Sequence, residues 1–125
     1  MSRRSNTLIR EATALIDSIE HLRAVLQQFA KRNARLSKRI AAGGDLGETL
    51  EALGGPDTRK DMTEALEAFE IARHRLRLAM FALAEEQGMS ISEVARGLGI
   101  SRQLASRLAA EADDTPWRAP KRRAR

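Results

Sequence analysis

Residues 90–110 have the sequence SISEVARGLGISRQLASRLAA, and their order of caps, small residues and apolar residues predicts two short helices. Ser90, with Glu93 three positions later, forms a capping box that begins the first helix. Val94 and Leu98 then lie four residues apart on one helical face. Gly99 follows the last apolar residue, where glycine enters the left-handed conformation that ends many helices. The first half of the stretch therefore predicts a short helix that stops at a tight turn.

The second half predicts a helix with one buried and one polar face. Ser101 has the side chain of an N-cap, and Ala105 and Leu108 have the spacing of an inward face. The positions left to point outward carry Arg102, Gln103, Ser106 and Arg107. Forked donors and amides near the start of a helix suit base edges in the major groove, where arginine recognises guanine and glutamine recognises adenine. This polar face is therefore predicted to contact DNA.

The positions of Ala95, Gly99 and Ile100 resemble the helix-turn-helix superfamily of bacterial and phage DNA-binding regulators, over about a sixth of the chain. The resemblance implies a head of three helices, the last of which enters the major groove. The sequence departs from the family at one place. The family usually has a β-branched residue where Ala105 stands, whereas here the bulk lies one position earlier, at Leu104. Whether Gln103 or Leu104 faces the groove therefore stays open.

The composition predicts an all-α protein. With 42% hydrophobic residues, no tyrosine, three phenylalanines and one tryptophan among 125 residues, the core is built from alanine, leucine and isoleucine. The absence of cysteine excludes disulfides and cysteine-bound zinc, and His21 and His74 lie too far apart in sequence to suggest a metal site. No catalytic motif is present. We therefore expect that the protein is not an enzyme and that it uses no cofactor or small-molecule substrate. Without a membrane-length apolar run or a signal-peptide core, we expect a cytoplasmic, nucleoid-associated protein with no membrane partner.

Residues 1–42 are predicted to form one long dimerisation helix, starting near Ser5. Its apolar positions alternate by four and three, as in a coiled coil. The residues predicted for dimerisation are Leu8, Leu15, Ile19, Leu22, Leu26, Phe29, Asn33 and Leu36. Ile9, Ile16 and Val25 widen the stripe, which favours a bundle over a two-stranded zipper. Asn33 suits either a register-setting position or a frayed end. The pattern predicts a homodimer, and it leaves open whether this helix pairs within or between chains.

The middle of the chain predicts a helical hairpin that leads into the head. Residues 43–58 form a glycine-rich connection with room for a short helical turn, and a second long helix is expected at 59–87, capped by Asp57 or Thr58. The end of this helix completes the predicted three-helix head at 75–112. Residues 21–44 carry six bases and no acid, whereas 45–71 carry eight acids and two bases. This segregation favours an antiparallel arrangement of the two long helices.

The tail at 113–125, DDTPWRAPKRRAR, is expected to be mobile and strongly basic. Its cations are Arg118, Lys121, Arg122, Arg123 and Arg125. Such arms follow phosphates or enter a minor groove, although basic tails also serve solubility alone.

These features together predict a sequence-specific protein that binds double-stranded DNA, as a homodimeric transcriptional regulator or a chromosome-organising factor. Ser90 and Ser101 are expected to hold backbone phosphates beside the base-contacting face. The alternative is a coiled-coil module for protein–protein interaction, with a helical head that does not bind DNA.

Overall fold

The computed structural model describes residues 1–115, and these form five helices without a strand. The helices are α1 (Arg3–Ala41), α2 (Leu46–Ala52), α3 (Gly55–Glu86), α4 (Ile91–Leu98) and α5 (Arg102–Asp114). The two long helices, α1 and α3, pack as an antiparallel pair within one chain. The all-α prediction and the hairpin of long helices are thereby confirmed.

The glycine-rich connection is more helical than expected, because both α2 and the first turn of α3 begin inside it. Asp45 caps α2, its carboxylate accepting a hydrogen bond from the Glu48 amide at 3.0 Å. Helix α3 begins at Gly55 rather than at 59, so the prediction of a cap at 57 or 58 is wrong. Pro56 lies in the first turn of α3, where its missing N–H would have had no partner anyway. Thr58 is buried one turn later and donates its hydroxyl to the Gly54 carbonyl at 3.0 Å.

The end of α1 depends on a close backbone approach at Gly44. The Gly44 amide donates to the Arg39 carbonyl at 2.8 Å. A Cβ atom at position 44 would lie 2.8 Å from that same carbonyl oxygen, closer than real side chains come. The turn from α1 towards α2 therefore requires glycine at this position.

The described residues form two compact units. One consists of residues 1–15 together with the described residues from Ala72 onward, and the other is Ile16–Ile71. The head thus includes the first turns of α1 as well as the predicted 75–112. Arg4 contributes to this arrangement by donating to the Ala82 carbonyl at 2.8 Å, within the first unit.

The residues predicted for dimerisation divide into two groups by burial. Four leucines are half-buried, namely Leu8, Leu15, Leu22 and Leu36. The other four, Ile19, Leu26, Phe29 and Asn33, are exposed. Within its own chain, the structure therefore covers the predicted stripe only in part.

The basic half of α1 makes few polar contacts in the second unit. Arg32 donates to the Thr58 hydroxyl. Among residues 1–115, the neighbouring cations form no ion pair, namely Lys31, Arg35, Lys38 and Arg39. The antiparallel order that the charges favoured is present, but ion pairs do not join these cations to the acids of α3.

Within residues 1–115, none of the helices combines the length and apolar character that crossing a membrane requires.

Candidate nucleic-acid interface

Helix α4 begins with the complete capping box. The Glu93 amide donates to Ser90 Oγ at 3.1 Å, and the Ser90 amide donates to Glu93 Oε1 at 2.8 Å. The hydrogen bonds from Ser90 favour the charged carboxylate and lower the pKa of Glu93 below its ordinary value. Two amides that the helix itself cannot satisfy are thereby bonded, and the start of α4 is fixed.

The turn after α4 is closed by a left-handed glycine. Gly99 has φ 71° and ψ 33°, and its amide donates to the Arg96 carbonyl at 3.3 Å. The next amide, that of Ile100, donates to the Ala95 carbonyl at 3.0 Å. This pair of bonds satisfies the last carbonyls of α4 and turns the chain towards α5 within a few residues.

The inward face of α5 is buried as the spacing predicted. Ser101 caps the helix by accepting from the Leu104 amide at 3.0 Å. Ala105 is 0% exposed, and Leu108 and Ala112 are buried one and two turns later. These residues form one cluster with side chains of α3 and α4, namely Leu78, Phe81, Ala84, Val94 and Ala95. The burial of this face determines which residues of α5 remain at the surface.

The outward face of α5 carries the polar residues predicted to contact DNA, and the structure brings them together. Arg102, Gln103, Ser106 and Arg107 are all exposed. Leu104 is partly buried and packs against the core cluster. Of the two residues left open by the sequence, Gln103 is therefore the one available at the surface. Among residues 1–115, neither arginine of this face makes an ion pair.

Two long-range polar contacts fix the neighbouring helices, and sequence analysis missed both. Arg75 of α3 donates to Glu11 of α1 through Nε at 3.0 Å and Nη2 at 2.8 Å. This hydrogen bonding raises the pKa of Arg75, although partial burial acts in the opposite direction. His74 lies beside it and contacts Glu111 of α5, with Nε2 and Oε2 at 2.7 Å. The sequence did contain a signal for the first contact. Glu11 is an acid that lies three residues after Leu8 and four before Leu15, beside the apolar face of α1.

Arg96, in the last turn of α4, is a further exposed cation that sequence analysis did not include. Its position three residues before Gly99, on the polar side of α4, was the available signal.

The other predicted DNA-contacting residues lie outside the described part of the chain, namely Arg118, Lys121, Arg122, Arg123 and Arg125. Ser90 and Ser101 are both exposed at the starts of their helices. Within residues 1–115, no group of histidine and acidic side chains is arranged to hold a metal ion. No protein-family model, curated protein or solved structure matches this chain.

Proposed function

We propose that this chain is a sequence-specific DNA-binding protein that acts as a homodimeric transcriptional regulator or chromosome-organising factor. The observation that carries the proposal is the division of α5 into two faces. Ala105 and Leu108 are buried in the core, while Arg102, Gln103 and Arg107 are exposed on the opposite side. A short helix held rigidly by its apolar face, with forked donors on its free face, suits insertion into the major groove.

The starts of α4 and α5 support backbone contacts beside that face. The oxygens of Ser90 and Ser101 each accept from a helix amide. The hydroxyl hydrogen of Ser101 remains available to donate to a phosphate, whereas the Ser90 side chain also bonds to the Glu93 carboxylate. The unpaired amides of a helix N-terminus favour an anion at the same place. In this proposal the two serines and Arg96 set the position on the backbone, and the outward face of α5 distinguishes sequences.

The salt dependence of binding tests whether DNA is the partner. Fluorescence anisotropy with mixed genomic fragments should give an affinity that falls linearly with the logarithm of salt concentration. Removing residues 116–125 should weaken binding to all sequences similarly. It should reduce the slope by up to about 4.5 for each chain of the dimer, at ~0.9 for each of five cations that meets a phosphate. No binding at low salt would refute the proposal.

Arg102→Ala tests which region supplies specificity. Loss of a bidentate contact to guanine costs about 1–3 kcal/mol, or roughly 5- to 150-fold for the preferred sequence over a random one. Selection of bound fragments from random DNA provides the preferred sequence. Arg59→Ala is the matched control, because it removes an exposed arginine from α3 in the other unit. If truncation at 115 abolished the preference and Arg102→Ala left it intact, the two roles would be reversed.

The second candidate is a protein–protein interaction module, and one observation favours it. A groove of about 270 Å³ in the second unit has a mainly apolar lining surface, to which large apolar side chains contribute. They include Phe29, Leu36, Leu50, Leu53 and Met62. This hypothesis predicts a stable complex with a partner protein that persists in the double variant Arg102→Ala, Arg107→Ala, whereas DNA binding by the same variant should be lost.

A further inference from the structure

Helix α1 carries a stripe of large apolar side chains that its own chain leaves uncovered. Ile9, Ile16, Ile19 and Leu26 are between 42% and 58% exposed. All four lie on one side of the helix, next to the half-buried leucines of the same helix. A continuous row of exposed apolar side chains on a helix is typical of an interface.

The spacing of the stripe indicates its partner. Positions 9, 12, 16, 19, 23 and 26 follow one another by three, four, three, four and three residues, which is the repeat of a coiled-coil seam. This series is the same in both directions along the helix. A second copy of α1 running the opposite way therefore presents large residues opposite large ones. Ile9 meets Leu26, Ile16 meets Ile19, and the small Ala12 meets the long Arg23.

We propose that a second copy of this chain packs antiparallel along this stripe, about a twofold axis that passes between Asp17 and Ser18. The proposal specifies the geometry of the homodimer and rests on the dimer included in the proposed function. It assigns the interface to the exposed stripe, since the half-buried leucines are already used within the chain.

The charges of α1 favour the antiparallel direction over the parallel one. A parallel pair would place Arg23 against its own copy and would set the basic runs at 31–39 side by side. The cations of that run other than Arg32 form no contact with an acid among residues 1–115, and Arg32 bonds to a threonine. Their mutual repulsion would therefore be uncompensated. In the antiparallel pair the basic ends point away from each other, and Arg23 keeps its exposed contact with Glu20 at 3.7 Å.

Cross-linking tests the direction of packing, because the chain contains no cysteine of its own. Ile9→Cys and Leu26→Cys are made singly and together in the full chain, and each protein is treated with a short bismaleimide. The double variant and an equal mixture of the single variants should give a covalent dimer. Either single variant alone should not, because its cysteine and the copy lie about 25 Å apart in the antiparallel pair. A covalent dimer from either single variant on its own would indicate parallel packing and overturn the proposal.

Sedimentation equilibrium tests the interface itself. Ile16→Glu combined with Ile19→Glu places four carboxylates at the centre of the seam and should weaken dimerisation by more than about 100-fold. Ile71→Glu is the matched control, since Ile71 is 55% exposed on α3 and should leave the dimer unchanged. Circular dichroism of each variant reports whether the helices remain folded. A parent chain that sediments as a monomer, or a dimer that survives the double substitution, would overturn the proposal.

The failure of this proposal and that of DNA binding are distinguishable. Cross-linking and sedimentation are carried out without DNA, and anisotropy is measured separately on the parent chain. DNA binding by a chain that does not form the cross-linked dimer would refute the antiparallel geometry alone. An antiparallel dimer that does not bind DNA would refute the proposed function alone.

Discussion

Ala105→Val would insert two methyl groups at the most enclosed position of α5. Ala105 is 0% exposed and belongs to the core cluster with Phe81, Val94 and Leu108. The helix-turn-helix superfamily, which this stretch resembles, usually has a β-branched residue at this position. In this chain, however, position 105 has no access to solvent into which the added methyl groups could extend. Overpacking of this kind costs typically ~1–3 kcal/mol, and the lower helix propensity of valine adds about 0.5 kcal/mol. We expect the variant to lose about 2 kcal/mol of unfolding free energy.

Thermal unfolding followed by circular dichroism measures this loss. For a unit of about 60 residues, 1 kcal/mol corresponds to ~4–8 °C, so the Tm should fall by roughly 10 °C. Ala110→Val is the matched control, because Ala110 is exposed on the same helix and undergoes the same chemical change. Only the propensity cost applies there, and the Tm should fall by about 3 °C.

The comparison of these two variants also tests the rotation of α5. If Ala105→Val kept or raised the Tm while Ala110→Val lowered it, position 105 would have free volume beside it. The helix would then be turned so that the side of Leu104 lies deeper in the core. The assignment of Gln103 to the surface would fall with it.

Four further substitutions test local structure in the described residues. Gly97→Ala should stabilise the chain by up to ~1 kcal/mol, since nothing lies within 4 Å of the added Cβ atom. Gly99→Ala should destabilise it by about 1–2 kcal/mol because φ is +71°; equal effects on the urea midpoint would contradict this assignment of the turn. The lowered pKa of Glu93 means that its hydrogen bond stabilises the fold above the ordinary carboxyl pKa of 4.5 and that this contribution is lost as pH falls through the lower folded-state value. Glu93→Gln should therefore reduce stability at pH 7 and have little effect near pH 2, and a difference that grew on acidification would refute the sign. Glu11→Gln, which removes the charge of a carboxylate that is 5% exposed, should cost about 1–2 kcal/mol in urea denaturation, and an unchanged midpoint would show that the ion pair is dispensable.

The two short helices α4 and α5 were predictable because the determinants of their ends are local. A capping box, a left-handed glycine and an N-cap serine each act within about four residues, and all three are present as expected at Ser90, Gly99 and Ser101. The unusual order at Leu104 and Ala105 could not be interpreted from the sequence alone. How deeply each of these two adjacent side chains is buried depends on residues of α3 that are distant in sequence, such as Leu78 and Phe81.

The start of α3 was mispredicted because proline has opposite effects on a helix, depending on its position. Inside a helix Pro56 would break it, whereas in the first turn it is well accommodated. The sequence contains both possibilities, and the buried side chain of Thr58, bonded to the Gly54 carbonyl, selects the earlier start. The contact between Glu11 and Arg75 was unpredictable for a related reason. It joins residues 64 apart in sequence, and only the register of the helix pair brings them together.

The heptad pattern of α1 predicted that the helix packs through an apolar seam. It did not show how many sides of the helix make such contacts. Its positions belong to two overlapping seams, and a sequence repeat does not state which one the chain itself covers. Asn33 shows where the exposed seam ends. Its amide donates to the Phe29 carbonyl of the same helix at 2.8 Å, so this side chain satisfies itself locally and needs no partner across an interface. Beyond Leu26 the stripe continues through Ala30 to this polar residue, at the point where the basic run begins. The apolar part of the stripe is thus confined to the first two thirds of α1, which is the part that an antiparallel copy can match end to end.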